Sequence, residues 1–148
     1  MALNPLIIAL DLDNADEART LVAQLGSSVE FYKVGMELYA AEGMSFVREL
    51  IDQGKRVFLD LKLYDISETV KRAVATIAKS GVTLLTVHGS SAVMRAAVEG
   101  RGPSSLKLPG LKLLGVSVLT SFDAADLADL GYPCPDRKST RLNSSHRH

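Results

Sequence analysis

The sequence predicts an α/β fold built from about five consecutive βα units on a parallel sheet. Three observations predict it. Short apolar runs alternate five times with helix-period segments, at intervals of roughly 25–30 residues, the spacing of βαβ units. The runs lack strict polar alternation, as expected of strands covered by helices. Run after run then closes on a polar residue: Asp11, Lys33, Asp60 with Lys62, His88 and Thr120. Barrel enzymes collect catalytic residues from the C-terminal ends of several strands in this way. The expected architecture is therefore the N-terminal part of a (β/α)8 (TIM) barrel. A complete barrel takes about 250 residues, and this chain of 148 has strands for five units. An open doubly wound sheet is the competing arrangement. No Gly-x-Gly-x-x-Gly or Walker loop follows the first strand, which weakens a nucleotide-cofactor version of it.

Each element has a local signal. Leu6 to Leu10 is the first strand, ending at Asp11 and Asp13. Asn14 with Glu17 three residues on resembles a capping box. It opens a helix over 15–25, whose apolar face is Ala18, Leu21, Val22 and Leu25 and which Gly26 closes. The second strand is Val29 to Val34, with Phe31 and Lys33 on one face. A helix from about Glu37 to Gln53 turns Leu38, Phe46, Val47 and Leu50 inward and stops at Gly54. The third strand begins at Arg56 and carries Val57, Phe58 and Leu59. Ser67 is placed to cap the next helix, whose face is Val70, Ala73, Val74 and Ile77, before Gly81. Thr83 to Val87 is the fourth strand, ending at His88 and Gly89. Ser90 or Ser91 caps a helix through about Val98. The stretch RGPSS and the pair Pro109-Gly110 read as loop. Leu111 to Leu119 is the fifth strand, and a short helix spans about Ala124 to Leu130.

Composition excludes several function classes. The formal net charge is zero, so nothing electrostatic favours nucleic acid or an anionic membrane as partner. No apolar run is long enough to span a bilayer. The opening MALNPLIIALDLDN lacks a basic n-region, so it does not read as a secretory signal. A single cysteine, Cys134, excludes an intrachain disulfide framework and a cysteine metal cluster. A cytoplasmic protein is expected. From about Asp136 the sequence DRKSTRLNSSHRH has no apolar periodicity. The expected division is a partial barrel domain over 1–135 and a non-native, adapter-like tail over 136–148, which leaves His146 and His148 without a role.

The stretch RVFLDLKLYDISETV, from Arg56 to Val70, carries the chemistry. Side chains two apart on a strand share a face, so Phe58, Asp60 and Lys62 are expected to point the same way. Charges at the end of an apolar strand are costly unless they pair or do chemistry. A lone Asp-x-Lys reads as a structural ion pair. Its company at the other strand ends favours a site.

The motif Asp60-Leu-Lys62-Leu-Tyr-Asp65-Ile-Ser-Glu-Thr69 resembles that of the orotidine 5′-monophosphate decarboxylase family, which usually shows Asp-Leu-Lys-x-x-Asp-Ile-Pro-x-Thr. Ala9-Leu10-Asp11, Lys33-Val34-Gly35, Val87-His88 and Leu119-Thr120-Ser121 match in order, so the resemblance covers about residues 5–131. Ser67 departs from the usual Pro. The resemblance implies decarboxylation of orotidine 5′-phosphate to uridylate and CO2, in pyrimidine biosynthesis, without metal or organic cofactor. It implies that Lys62 is the proton donor, and that Asp60, Lys62 and Asp65 form a charge array at the reacting carbon. It implies that Asp11 and Lys33 bind the sugar and orient that array, and that Thr120 contacts the pyrimidine. Asp65 and Thr69 would reach a partner's site in a homodimer. It further implies that this chain, as part of the barrel, lacks the phosphate grip, is inactive alone and folds poorly.

Blander readings stand beside these. Asp11 with Asp13 reads equally as a capping loop, Lys33 as a snorkelling lysine, and Thr120 with Ser121 as a helix cap. His88 reads as a hydrogen-bonded strand end and Tyr64 as packing. A second enzyme reading is a magnesium-dependent 3-keto-L-gulonate 6-phosphate decarboxylase or hexulose-phosphate synthase. Those relatives usually carry a glutamate at the position of Lys33 and lack Ile-x-x-Thr after the last aspartate, so Lys33 and Ile66 to Thr69 favour the orotidylate reading. A third is a non-catalytic, truncated barrel.

Overall fold

The computed structural model describes residues 6–103 and 110–132. The expected tail over 136–148, Cys134 and most of the loop before Gly110 lie outside the described residues. The chain divides into two compact units, 1–115 and 116–148.

The first unit contains β1 (Ile7–Ala9), α1 (Ala15–Leu25), β2 (Phe31–Gly35), α2 (Met36–Asp52), β3 (Arg56–Leu63), α3 (Ser67–Ala78), β4 (Leu84–His88), α4 (Ser91–Arg101) and nearly all of β5 (Lys112–Val116). The strands form one sheet in the order β1-β2-β3-β4-β5, and β1 to β4 pair in parallel. Order decides the architecture. A doubly wound sheet reverses its strand order at a switch point. This sheet never reverses, so right-handed crossovers carry the helices to one face, as in the (β/α)8 barrel.

Register then separates two faces. Ile7 pairs with Phe31, Lys33 with Phe58, and Phe58 with Leu84. Tyr32, Val34, Val57, Leu59, Leu85 and Val87 therefore share one face. All six are buried in a core with Leu38, Phe46, Val47 and Leu50 of α2 and Val70, Val74 and Ile77 of α3. The four α2 residues are those the helical period selects. The opposite face carries Phe31, Lys33, Phe58, Asp60, Leu84 and Thr86. This second face positions the site.

The caps follow local chemistry with one correction. Asn14 accepts from the Glu17 N–H at 2.9 Å, as the sequence indicates. Ser90 caps α4 through the Val93 N–H. Ser67 does not cap α3. It is the first helical residue, and Ile66 is the cap without a side-chain bond. The Ile66 N–H donates instead to Asp65 Oδ1 at 2.7 Å. Position 67 is thus the first helical position, where proline fits because its missing N–H would have no helical partner. Serine there has no capping geometry. Inside α2, Gly43 adopts φ +62°, a kink that the apolar period gives no sign of.

β5 was expected over 111–119 but ends at Val116. Apolarity persists to Leu119, but a ladder ends where partner groups end, and composition does not record that. In the second unit a turn joins Leu119 O to Phe122 N–H. Asp123 then opens α5 (Ala124–Asp129) with a reciprocal capping box to Asp126. Thr120 and Ser121 are therefore not the cap of this helix. Among the described residues no helix is long and apolar enough to cross a membrane.

Candidate active site

β1, β2, β3 and β4 deliver five polar side chains, Asp11, Lys33, Asp60, Lys62 and Thr86, to one end of the sheet. β1 continues beside β2 through Leu10 N–H, which donates to Lys33 O at 2.9 Å. That bond places Asp11 next to the end of β2. Gly35 pairs with Asp60 and lies beside Asp11: a Cβ on Gly35 would meet Asp11 Oδ1 at 3.5 Å, an ordinary contact.

Asp60 is the centre. Lys62 Nζ lies 2.9 Å from its Oδ1, and Lys33 Nζ lies 3.7 Å from its Oδ2. Lys33 Nζ also lies 3.4 Å from Asp11 Oδ1. The order of charge is therefore Asp11, Lys33, Asp60, Lys62, alternating in sign. The Asp60 side chain is 14% exposed, against 63% for Asp11, so the inner aspartate is the shielded one. Burial raises the Asp60 carboxyl. Hydrogen bonds from Lys62 and Thr86 and the charges of both lysines outweigh that effect, and hold it below the ordinary carboxylate value.

Lys62 has backbone φ +48°, the only positive value for a non-glycine among the described residues. Leu59 pairs with Leu85 but Leu63 pairs with Val87, so β3 advances four residues while β4 advances two. The strand bulges at Lys62, and simple alternation stops there. Bulges of this kind re-aim side chains next to functional sites.

Sequence reasoning missed Thr86. It is 4% exposed, and its hydroxyl donates to Asp60 Oδ1 at 2.8 Å while accepting from the Lys62 N–H at 2.9 Å. The available signal was parity: Thr86 is two residues before His88, on the face of the polar strand ends.

Not every candidate joins the cluster. Asp65 is exposed, and its Oδ1 is engaged by the Ile66 N–H. Thr69 is exposed on the first turn of α3. Thr120 belongs to the second unit, where it is exposed in the turn before α5. His88 is a hydrogen-bonded strand end, as expected, whereas Tyr64 is 70% exposed and is not a packed core residue. His88 Nδ1 accepts from the Ser90 N–H at 3.3 Å, and its ring stacks on Tyr64 at 4.2 Å between centroids. Lys33, by contrast, is no surface lysine: it is held between two carboxylates.

The cluster thus offers an ammonium, Lys62, paired to a shielded carboxylate that a second ammonium, Lys33, also holds. Such an arrangement stabilises a developing negative charge and delivers a proton to it.

Known proteins resemble this chain in sequence and fold. The family model described as orotidine 5′-phosphate decarboxylase / HUMPS family matches residues 4–140. The orotidine 5′-phosphate decarboxylase of Nitrobacter winogradskyi is 53% identical over 134 residues, which is 90% of this chain and 54% of that protein. That of Rhodopseudomonas palustris strain HaA2 is 51% identical over 127 residues, 86% of this chain and 52% of its own. The crystal structure of the Lactobacillus acidophilus orotidine 5′-phosphate decarboxylase superposes with a TM-score of 0.74 at 36% identity, covering 88% of this chain and 59% of that one. An uncharacterized conserved protein from Geobacillus kaustophilus superposes with a TM-score of 0.80 at 37% identity, covering 92% and 65%. The chain spans about half the length of the curated relatives it matches.

Proposed function

The chain belongs to the orotidine 5′-phosphate decarboxylase / HUMPS family, and we propose that it supplies the catalytic array of an enzyme converting orotidine 5′-phosphate to uridylate and CO2. The observation that carries this reading is the Lys33–Asp60–Lys62 cluster, with ammonium groups 3.7 and 2.9 Å from one carboxylate. The substrate carboxylate lies against Asp60. The bond from the ring carbon to the carboxylate breaks, and CO2 leaves. The electron pair stays on the ring carbon, and Lys62 Nζ gives that carbon its proton. Lys62 is later reprotonated from solvent.

Magnitudes assign the parts. Two carboxylates about 4 Å apart repel by about 4 kcal/mol at an effective dielectric near 20. Enzymatic accelerations require about 8–23 kcal/mol. Repulsion is thus the minor contribution, and stabilisation of the developing carbanion by Lys62 is the major one, supported by binding of the remote phosphate. Asp11 and Lys33 bind the ribose and hold the array. Thr120 contacts the pyrimidine. Asp65 and Thr69, both exposed, serve the site of a second copy in a homodimer, and the enzyme works in the cytoplasm.

The family also contains magnesium-dependent sugar-phosphate enzymes. The orotidylate reading is favoured by Lys33. It sets an ammonium between Asp11 and Asp60, where a divalent cation would meet direct charge repulsion. The curated relatives cited above carry the orotidylate name.

The test is an ultraviolet assay in excess chelator. The protein is this chain through residue 132 joined to the remaining half of the Nitrobacter winogradskyi relative, called the extended chain below. Turnover that survives chelator is expected. Turnover lost to chelator and restored by magnesium would move the assignment to the sugar-phosphate group. The 148-residue chain run beside it is expected to be inactive, because barrel phosphate sites sit after strands seven and eight.

A further inference from the structure

Building on the decarboxylase reading, we propose that Thr86 is a positioning residue: it aims the Lys62 ammonium by holding the Asp60 carboxylate and the Lys62 backbone together. Thr86 is buried, 4% exposed, on the sheet face that carries Lys33 and Asp60. Its hydroxyl has one proton, and that proton goes to Asp60 Oδ1 at 2.8 Å. Its oxygen lone pair accepts from the Lys62 N–H at 2.9 Å. The same Asp60 Oδ1 takes Lys62 Nζ at 2.9 Å. A closed ring results, running from the Lys62 amide through Thr86 and Asp60 to the Lys62 ammonium.

The ring spans the place where β3 departs from its ladder with β4. Between Leu59 and Leu63 the regular pairing is interrupted, and Lys62 adopts φ +48°, a region that side-chain-bearing residues disfavour. A strained backbone persists only where its surroundings over-determine it. The Thr86 bond to the Lys62 amide supplies that determination. The Thr86 bond to Asp60 sets which way the carboxylate faces. Both depend on the hydroxyl and neither on the methyl group.

Substitutions separate the two. In the extended chain, Thr86→Val keeps the volume and removes the hydroxyl, whereas Thr86→Ser keeps the hydroxyl. Thr86→Val is expected to lower kcat about ten- to a hundredfold with KM within about threefold, because hydrogen bonds to charged groups are among the strong ones. Its acid limb should move upward as Asp60 loses a donor. Amide exchange at Lys62 should accelerate, and Thr86→Ser should restore kcat, pH profile and protection. Thr86→Ala is a second hydroxyl-free variant in case valine prevents folding. Equal loss in the serine and valine variants would overturn the proposal. So would an unchanged kcat and acid limb in a folded hydroxyl-free variant. If the extended chain decarboxylates nothing, the functional reading fails on its own. Lys62 exchange and Asp60 titration by NMR then decide the Thr86 bonds separately: unchanged values in the hydroxyl-free variants would refute them.

Discussion

Asp60 Oδ1 lies 2.9 Å from Lys62 Nζ although a single residue separates the two on β3. On a regular strand their side chains would stand parallel, two residues or nearly 7 Å apart along the chain. The left-handed backbone at Lys62 and the length of the lysine stem bring the charges together. The pair is therefore a product of the bulge and of neighbouring strands, and its two members are unequally placed: Asp60 is shielded and Lys62 is open.

That inequality predicts the phenotype of Lys62→Ala. The ammonium is needed where charge develops, not where the substrate is merely held. In the extended chain kcat should fall by about 10²- to 10⁴-fold or more, with a much smaller change in KM. Steady-state kinetics measures both, and a change confined to KM would show that Lys62 only binds.

Asp60 predicts a pH dependence. Its carboxyl is held below the ordinary value despite burial, so the native state favours the ionised form. A depressed native pKa contributes stability that is fully present above the unfolded pKa and is lost as pH falls through the native one. The window lies below about pH 4, the ordinary aspartate value. Denaturant melts of the extended chain and its Asp60→Asn variant should differ in slope with pH only in that window. Parallel curves from pH 7 to 2 would show that the pairing carries no linkage.

Asp65 is exposed and makes no ion pair among the described residues. If it completes the site of a second copy, mixing Asp65→Ala and Lys62→Ala subunits restores one intact site per mixed dimer. Random pairing gives about a quarter of wild-type activity in a twofold assembly. No recovery after demonstrated subunit exchange would place Asp65 outside the shared site.

Helix packing offers a test away from the chemistry. A Cβ on Gly100 of α4 would run into the backbone carbonyl of Lys71 on α3. Backbone cannot yield as a flexible side chain does. Gly100→Ala should destabilise by about 1–3 kcal/mol through overpacking, outweighing alanine's helix advantage of about 1 kcal/mol. A denaturant melt reads this directly, and a stabilised variant would mean that α3 and α4 separate at little cost.

By itself the sequence determined the order of elements, the inward residues of α2 and α3, and the strand ends that carry Asp11, Lys33, Asp60 and Lys62. These follow from short-range rules: a period of 3.6 for helices, apolar runs for covered strands, and polar closure of each run. Tertiary structure alone decided three things. Strand order chose the barrel path over a doubly wound sheet, because both use the same βαβ units and differ only in which strands are neighbours. The bulge at Lys62 replaced simple alternation, because the register between β3 and β4 depends on both strands at once. Thr86 became part of the site because its hydroxyl meets Asp60 across 26 positions of sequence, and a lone threonine in an apolar run carries no periodic mark of its partner. The false cap at Ser67 has the same origin. Capping depends on where the helix begins, and here Asp65 and the turn before α3 set that start one residue earlier than composition implied.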